Sequence, residues 1–575
     1  MQEVHAYIKA EQNRYQIMPV PIVEGYAWNM FEHVRLTTLY LNSQYKTGKE
    51  DDKPFRNIIL PKVNLEHRAV EFDLDEIQFY INSDQNYKSF LVKKFHERWA
   101  LQNDIADFLD KMSETYTDYG GVLLKNTKEA LEVVPFQRLA FVDQTDMLSG
   151  PICEQHEYSP DQLMAMAAKG WGNPKNGATG TLEEVIALAR EEKTNTQSQG
   201  GGGFITTIPK AQTPGRYIEV FELHGMLPET FLDPENGDPN KFSRQMHIVT
   251  YYTPKQGDEK AKNGITLFAG KEKDGLYKAF KRDEIYGRAL GRGAVEELFE
   301  PQVWVNFNEI AKTQMLTQAS KVIYQTADQS FKARNGTADL ENGDVLTYAE
   351  GKPLAPLNTA AVNVEAFENA VQTWDANAQQ IAAATDLMAG DKEGTAGMPA
   401  QLGVPLMQEG HSLHEYRKGR LSIFLTEVYR DWIIPKVQAA VTNGSEFLSN
   451  LSTDEMGELV DQVAAYEFNK SIIAKVLSGQ IVYPEDAQTL LQDYRKQFFT
   501  SGSRKLIKIL KGELANLPLE VEVNITSKQR NMALMAQKFS AVFTQAVNAL
   551  TVDPNFFTAH PEMAKLFNEI IESYG

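Results

Sequence analysis

Two histidines, His411 and His414, stand three residues apart with Glu409 and Glu415 beside them. Imidazoles and carboxylates at one-turn spacing can hold a metal ion. The zinc-protease arrangement needs histidines four apart around a glutamate, and this pair departs from it. On a helical turn the pair reads as polar surface, and no metal site is expected. Four consecutive glycines, Gly200 to Gly203, would suit a phosphate cradle if Lys-Ser or Lys-Thr followed; Phe204 follows instead. The tract 191–203 therefore reads as a polar linker loop. Cys153 is the single cysteine, which excludes an intrachain disulfide and a cysteine metal cluster. There is no Gly-x-Ser-x-Gly elbow. Carboxylates are numerous enough that a glycosidase pair is not excluded by counting. No catalytic residue and no cofactor is assigned.

Charge narrows the classes further. The chain has 575 residues, 58 Lys plus Arg against 77 Asp plus Glu, and a formal net charge of −19. That balance argues against gripping nucleic acid by bulk electrostatics, since such binding neutralises phosphates. Two basic stretches remain candidates for DNA or subunit contact against the simpler reading of solvated faces. One is Lys271, Lys273, Lys278, Lys281 and Arg282; the other is Arg504, Lys505, Lys508 and Lys511. No apolar run is long enough to span a bilayer, and the N-terminal residues lack the apolar core of a secretory signal.

The elements that must position these residues alternate between helix and strand, giving a helix-rich α+β chain. Residues 89–118 carry apolar residues at three- and four-residue steps and read as one helix, ended by Gly120 and Gly121. Two strand-like runs around a polar turn are expected within 121–143 and strands at 216–226 and 245–253, and residues 159–190 read as two helices opened by Ser159-Pro160 and Thr181. From Gly293 to about Ala327 the spacing predicts a helix of about 30 residues, ~45–50 Å long, begun or kinked at Pro301. Residues 328–362 lose the period, carry two Asn-Gly turn signals and are poor in apolar residues, with a strand at Val345 to Tyr348. Ordering of this segment is expected to need a neighbouring subunit. A second helix follows over 364–386, then a glycine- and alanine-rich loop at 387–405. A third helix, interrupted at Pro435, spans 406–442. The alternating LEVEVNI at 519–525 predicts a strand, and Thr526 with Gln529 forms a capping box for a last helical region.

The order of long helix, small β excursion, shorter helix, glycine-rich loop and long kinked helix resembles the portal proteins of tailed bacteriophages. YGRALGRGAVEELFEPQ at 286–302 sits where portals carry a glycine-marked approach to the stem. TDYGGVLLKN and VVPFQRLAFVDQTD, within 117–146, look like their wing strands. The resemblance covers roughly residues 95–550. It implies an N-terminal wing (1–285), a stem helix (286–327), a clip (328–362), a second stem helix (363–386) and a tunnel loop (387–405). A kinked helix with a C-terminal part of the wing (406–525) and a helical crown (526–575) would complete it. It further implies a twelve-fold homo-oligomeric ring at one capsid vertex of the virion, assembled in the host cytoplasm. Double-stranded DNA would be packaged and ejected through it. Its partners would be the terminase large subunit, a head–tail adaptor and the major capsid protein.

The residues themselves accord with a channel. Glu365, Glu368, Asp375 and Asp386 give the second helix four acids and no base, a wall that repels phosphate and lets it slide. In the loop, Gly390, Gly394 and Gly397 supply backbone freedom, Lys392 the one cation, and Met398 and Gln401 side chains suited to sequence-independent contact with a duplex. Val303, Phe307 and Ile310 are expected to pack against a neighbouring subunit. The competing expectation is a carbohydrate-binding or carbohydrate-active protein, which the aromatic content of 10% and the acidic balance suit equally well.

Overall fold

A computed structural model describes residues 2–43, 54–72, 74, 77–81, 96–127, 130–191, 217–251, 264–320, 323–335, 347, 349–353, 355–357, 364–382, 400–437, 453–478, 484–501 and 519–523. The chain mixes helix and sheet and divides into two units. One comprises Met1–Glu71 and Asn103–Arg417, the other Phe72–Gln102 and Lys418–Gly575.

The first unit opens with α1 (Gln2–Ile17), the hairpin β1 (Val20–Val23) and β2 (Tyr26–Trp28), α2 (Met30–Leu41) and α3 (Ile59–Val70). Strand β3 (Ile77–Ile81) belongs to the second unit. The first unit resumes with α4 (Ile105–Tyr119), β4 (Gly121–Asn126), β5 (Leu131–Val133), β6 (Leu139–Phe141) and β7 (Ile152–Tyr158). Helices α5 (Pro160–Ala165) and α6 (Leu182–Glu191) precede β8 (Ile218–Pro228), β9 (Phe242–Tyr251), β10 (Gly264–Lys271) and β11 (Tyr277–Lys281).

Strands β10-β9-β8-β7-β6 form an antiparallel sheet, and β11-β4-β5 a smaller one. Val220 pairs with Thr250 and Phe221 with Val249. Successive side chains point to opposite faces. Phe221, Leu223 and Val249 therefore enter one core with Val4 and Ile8 of α1, while Val220, Ile248 and Ile265 enter another with Leu163, Val185 and Ile186. Double coverage explains why β8 is apolar on both alternations. Both expected caps form. Gln162 Oε1 accepts from Ser159 N at 3.1 Å, and Thr181 Oγ1 accepts from Glu184 N at 3.2 Å.

The single helix expected over 89–118 is broken. Asp104 takes a left-handed φ of 50°, and α4 begins after it, burying Phe108, Leu109, Met112 and Tyr116. Residues 96–102 are helical in the second unit, and 89–95 lie outside the described residues. The apolar spacing on either side of Asn103-Asp104 serves two different cores, and short polar residues tolerate the reversal between them.

The long helix expected from Gly293 begins as one turn, α7 (Ala294–Glu297), then α8 (Phe299–Ser320). Pro301 falls in the first turn of α8, where a missing N–H costs nothing. The helix has 22 residues, ~33 Å, shorter than its apolar period suggested. The chain leaves it into β12 (Ile323–Gln325), which pairs antiparallel with β13 (Ala355–Leu357), and returns along α9 (Val364–Ile381). Between the strands the described residues are held by polar side chains of the same chain. Asp328 accepts from Ser330 N at 3.0 Å and Ala349 N at 2.9 Å. Asn335 donates to Thr347 O at 2.7 Å and accepts from Thr347 N at 3.0 Å. These bonds are side-chain-to-backbone bonds within one chain. Of Val345 to Tyr348, only Thr347 is described.

Helix α10 spans Ala400–Val428. It therefore takes in 400–405, which the composition had placed in the loop. The loop reading counted alanine as a flexible residue, whereas it is the best helix former. The interruption expected near Pro435 is a π turn at Tyr429–Ile433. Proline lacks the N–H and its ring crowds the carbonyl four residues back, so the helix widens just before it. In the second unit α11 (Thr453–Leu477) packs on α12 (Pro484–Ser501), and β14 (Leu519–Val523) pairs with β3, Val521 opposite Phe79. Residues 526–575 and the capping box at Thr526 lie outside the described residues.

Gly120 ends α4 with a φ of 78°, and a Cβ there would come 2.5 Å from Gly291 O. Arg282 N and Gly291 N each donate to Gly120 O at 3.0 Å. The glycines of the 286–302 motif thus let two backbones touch. Gly120→Ala is expected to lower the unfolding free energy by roughly 2–4 kcal/mol, read from urea denaturation, through left-handed strain plus overlap.

Candidate assembly and channel surface

The α8–α9 pair is built from both polar and apolar contacts. Val305 of α8 and Val371 and Ala378 of α9 are buried with Tyr40, Ile59 and Val63 of α2 and α3. Trp304 and Trp374 stack across the pair at 5.8 Å and 8°. Segment 56–58 is bound to α8 through Gln302, which accepts from Ile58 N at 2.8 Å and donates to Arg56 O at 2.7 Å. Asn306 accepts from Arg56 N at 3.2 Å.

One stripe of α8 is left uncovered within the chain. Phe307 is 59% exposed, Trp304 42% and Val303 39%, and Phe307 meets Trp304 edge-on at 5.8 Å. Ile310 is half-buried. The residues expected to pack between subunits therefore include two whose removal opens no core in the single chain. Glu365 and Glu368 are exposed on α9. Asp375 is not part of an open acidic wall: Lys62 Nζ of α3 lies 2.5 Å from its Oδ1. Asp386, Gly390, Lys392, Gly394, Gly397 and Met398 lie outside the described residues. Gln401 is not in a loop, since the backbone is helical from Ala400.

The root of the pair holds a buried charge network that local spacing did not reveal. Glu66 of α3, 2% exposed, accepts from Arg282 and, at 2.9 Å, from Arg417 of α10. Arg417 also reaches Asp283 at 2.7 Å and Glu297 of α7 at 2.8 Å. Burial alone would raise the Glu66 carboxyl; Arg282, His414 and Arg417 overcome it and hold it down to about 2. Burial dominates at Glu297, helped by Glu66 and Asp283, and raises it despite the two arginines. Nearby, Arg288 forks onto Glu296 with two bonds of 2.8 Å and lies 4.6 Å over the Trp28 ring.

Two expectations are corrected here. His414 is not polar surface: it is 2% exposed, with Nδ1 3.8 Å from Glu66. Arg282 is not on a solvated basic face, because the network draws it inside. Lys281 of the same stretch donates to Arg288 O at 2.8 Å. Among the described residues no cluster of His, Cys, Asp and Glu has the arrangement to hold a metal ion, and no helix is long and apolar enough to cross a membrane. No family profile and no curated protein matches the chain.

Removing one member of a buried ion network leaves its partners charged and dry. Arg417→Ala should cost roughly 3–5 kcal/mol in urea denaturation. The Glu66 shift works in the acid limb. A lowered carboxyl contributes stability that is present above the ordinary carboxylate range, about 4.5, and is lost as pH falls towards 2. Glu66→Gln should therefore be less stable at neutral pH by about 3 kcal/mol and lose less between pH 4.5 and pH 2 than the parent.

Proposed function

We propose that this chain is the subunit of a tailed-phage portal, a non-enzymatic ring through which double-stranded DNA enters and leaves the capsid. The observation that carries the reading is the out-and-back helix pair α8–α9. It is closed at its far end by the small β12–β13 pairing and rooted in a buried charge network. Its aromatic stripe stays in water in the single chain, and covering it is what a ring of such pairs would do. Exposed Glu365 and Glu368 are the charges of a surface that phosphate slides past. Terminase, adaptor and capsid contacts follow from the same reading, with the clip as their docking end.

The test is particle size. Mass photometry of the purified protein should show an assembly many times the 64.7 kDa chain, and negative-stain images should show rings with a central hole. A population made only of monomers or dimers across micromolar concentrations would sink the proposal. Phe307→Asp should reduce the assembled fraction strongly while changing the stability of the isolated chain by under about 1 kcal/mol, because the side chain is already mostly in water.

A further inference from the structure

A second charge network lies where the two sheets of the first unit meet. Pairing of β7 with β8 sets Glu154 directly opposite Glu222. Like charges so placed repel, and burying both is costly without a cation between them. Lys125 of β4 supplies one, its Nζ 2.8 Å from Glu154 and 3.0 Å from Glu222. His156 Nε2 lies 3.4 Å from Glu154 and 3.2 Å from Glu222. His224 sits between Glu222, 2.8 Å from Nε2, and Glu272, 2.8 Å from Nδ1. Tyr277 of β11, the cross-strand neighbour of Lys125, donates to Glu154. Lys125 and Glu154 are almost sealed, at 5% and 3% exposure, so the cluster offers no room to a substrate.

Two arguments fix the protons. A neutral imidazole carries one N–H. At His224 the second nitrogen would then press a lone pair against a carboxylate lone pair, so between two ionised carboxylates both 2.8 Å contacts close when both nitrogens donate. The count agrees: three carboxylates and one ammonium leave two negative charges, and two imidazolium rings cancel them. We infer that His156 and His224 are both stored as imidazolium cations at neutral pH, making the network a proton-loaded clasp between the sheets that loosens on the alkaline side as the rings lose their protons.

The surrounding groups leave the imidazoles as the first to respond. Burial works against the cation at both histidines, but the carboxylates of Glu154 and Glu222, at ion-pair distance, push His156 up to about 9, and hydrogen bonds to Glu222 and Glu272 with the charge of Glu222 raise His224. Glu154 and Glu222 are held below the usual range despite burial, by His156 above all. Tyr158, 5.9 Å from the His156 ring, is pushed by burial up to about 12. Glu132 of β5 adds negative charge behind it. Burial also raises Tyr277 and the Cys153 thiol, while Glu222 and Glu154 raise Lys125 against its burial. His247 of β9 is lowered to about 4 by burial and stays neutral, hydrogen-bonded to Gln245 at 2.8 Å. A raised imidazole stabilises fully below its ordinary value, about 6.5, and the contribution is lost as pH climbs through about 9.

Histidine C2-hydrogen exchange, followed by mass spectrometry on the intact protein from about pH 5 to about pH 10, reads each ring separately. His156 should show a midpoint near the value its carboxylates push it to, about 9, and His224 a midpoint above that of an ordinary histidine. Midpoints at or below about 6.5 would overturn the inference. Glu272→Gln should lower the midpoint of His224 and leave that of His156 in place. An unmoved His224 would remove the Nδ1 corner from the clasp. Amide protection in β4 and β7, corrected for intrinsic base catalysis, should fall at least tenfold, roughly, between pH 7 and pH 9.5, and constant protection would contradict loosening.

Discussion

Taking Glu66, Arg282 and Arg417 out of water costs several kcal/mol per ion, and the loss is recovered only while their carriers stay in register. Those carriers are α3, the segment after β11, and α10. Glu297 extends the same network to α7, one turn before the long helix α8 begins. The backbone contact at Gly120 and Gly291 sits beside it and tolerates no side chain. The root of the α8–α9 pair within the first unit is therefore held by a few charges and two glycines. The pair's own apolar seam then has only to keep two helices together.

The two buried networks of this unit solve one electrostatic problem differently. At the helix root, permanent cations meet carboxylates, and Glu66 stays charged because guanidinium groups do not lose protons. Between the sheets, one lysine is too few for three carboxylates, and histidines make up the difference. The first arrangement loses stability in acid. The second holds lowered carboxylates as well, but it draws part of its charge balance from bound protons and so depends on pH from the alkaline side too. Specific pairing of this kind positions elements more sharply than apolar contact, at a cost in desolvation.

In the portal reading, the sparing use of apolar contact along α8 has a purpose. Val305 is spent on the intrachain seam and Trp304 partly so, stacked on Trp374, whereas Phe307 remains largely in solvent. A chain that leaves aromatic side chains there is less costly to keep in water as an assembly than alone. The clip extends the same economy: with little apolar content, it is held by Asp328 and Asn335 bonding to backbone and leaves a polar end for docking.

What the sequence by itself determined was local. The strand character of β8 and β9, the alternation of β14, the caps at Ser159 and Thr181, the start of α9 and the disturbance before Pro435 all follow from residues within a turn or two of one another. Tertiary structure alone decided the rest. The apolar period over 89–118 looked continuous, and only the division between two cores shows why it breaks at Asp104. His414, Arg282 and Asp375 carried no local mark of burial or pairing, because their partners lie far along the chain. Arg417, for instance, meets Glu66 across 351 residues. Charge and periodicity report what a residue does with its neighbours in sequence. Whether a charged side chain faces water or another charge is settled by elements that meet only when the chain has folded.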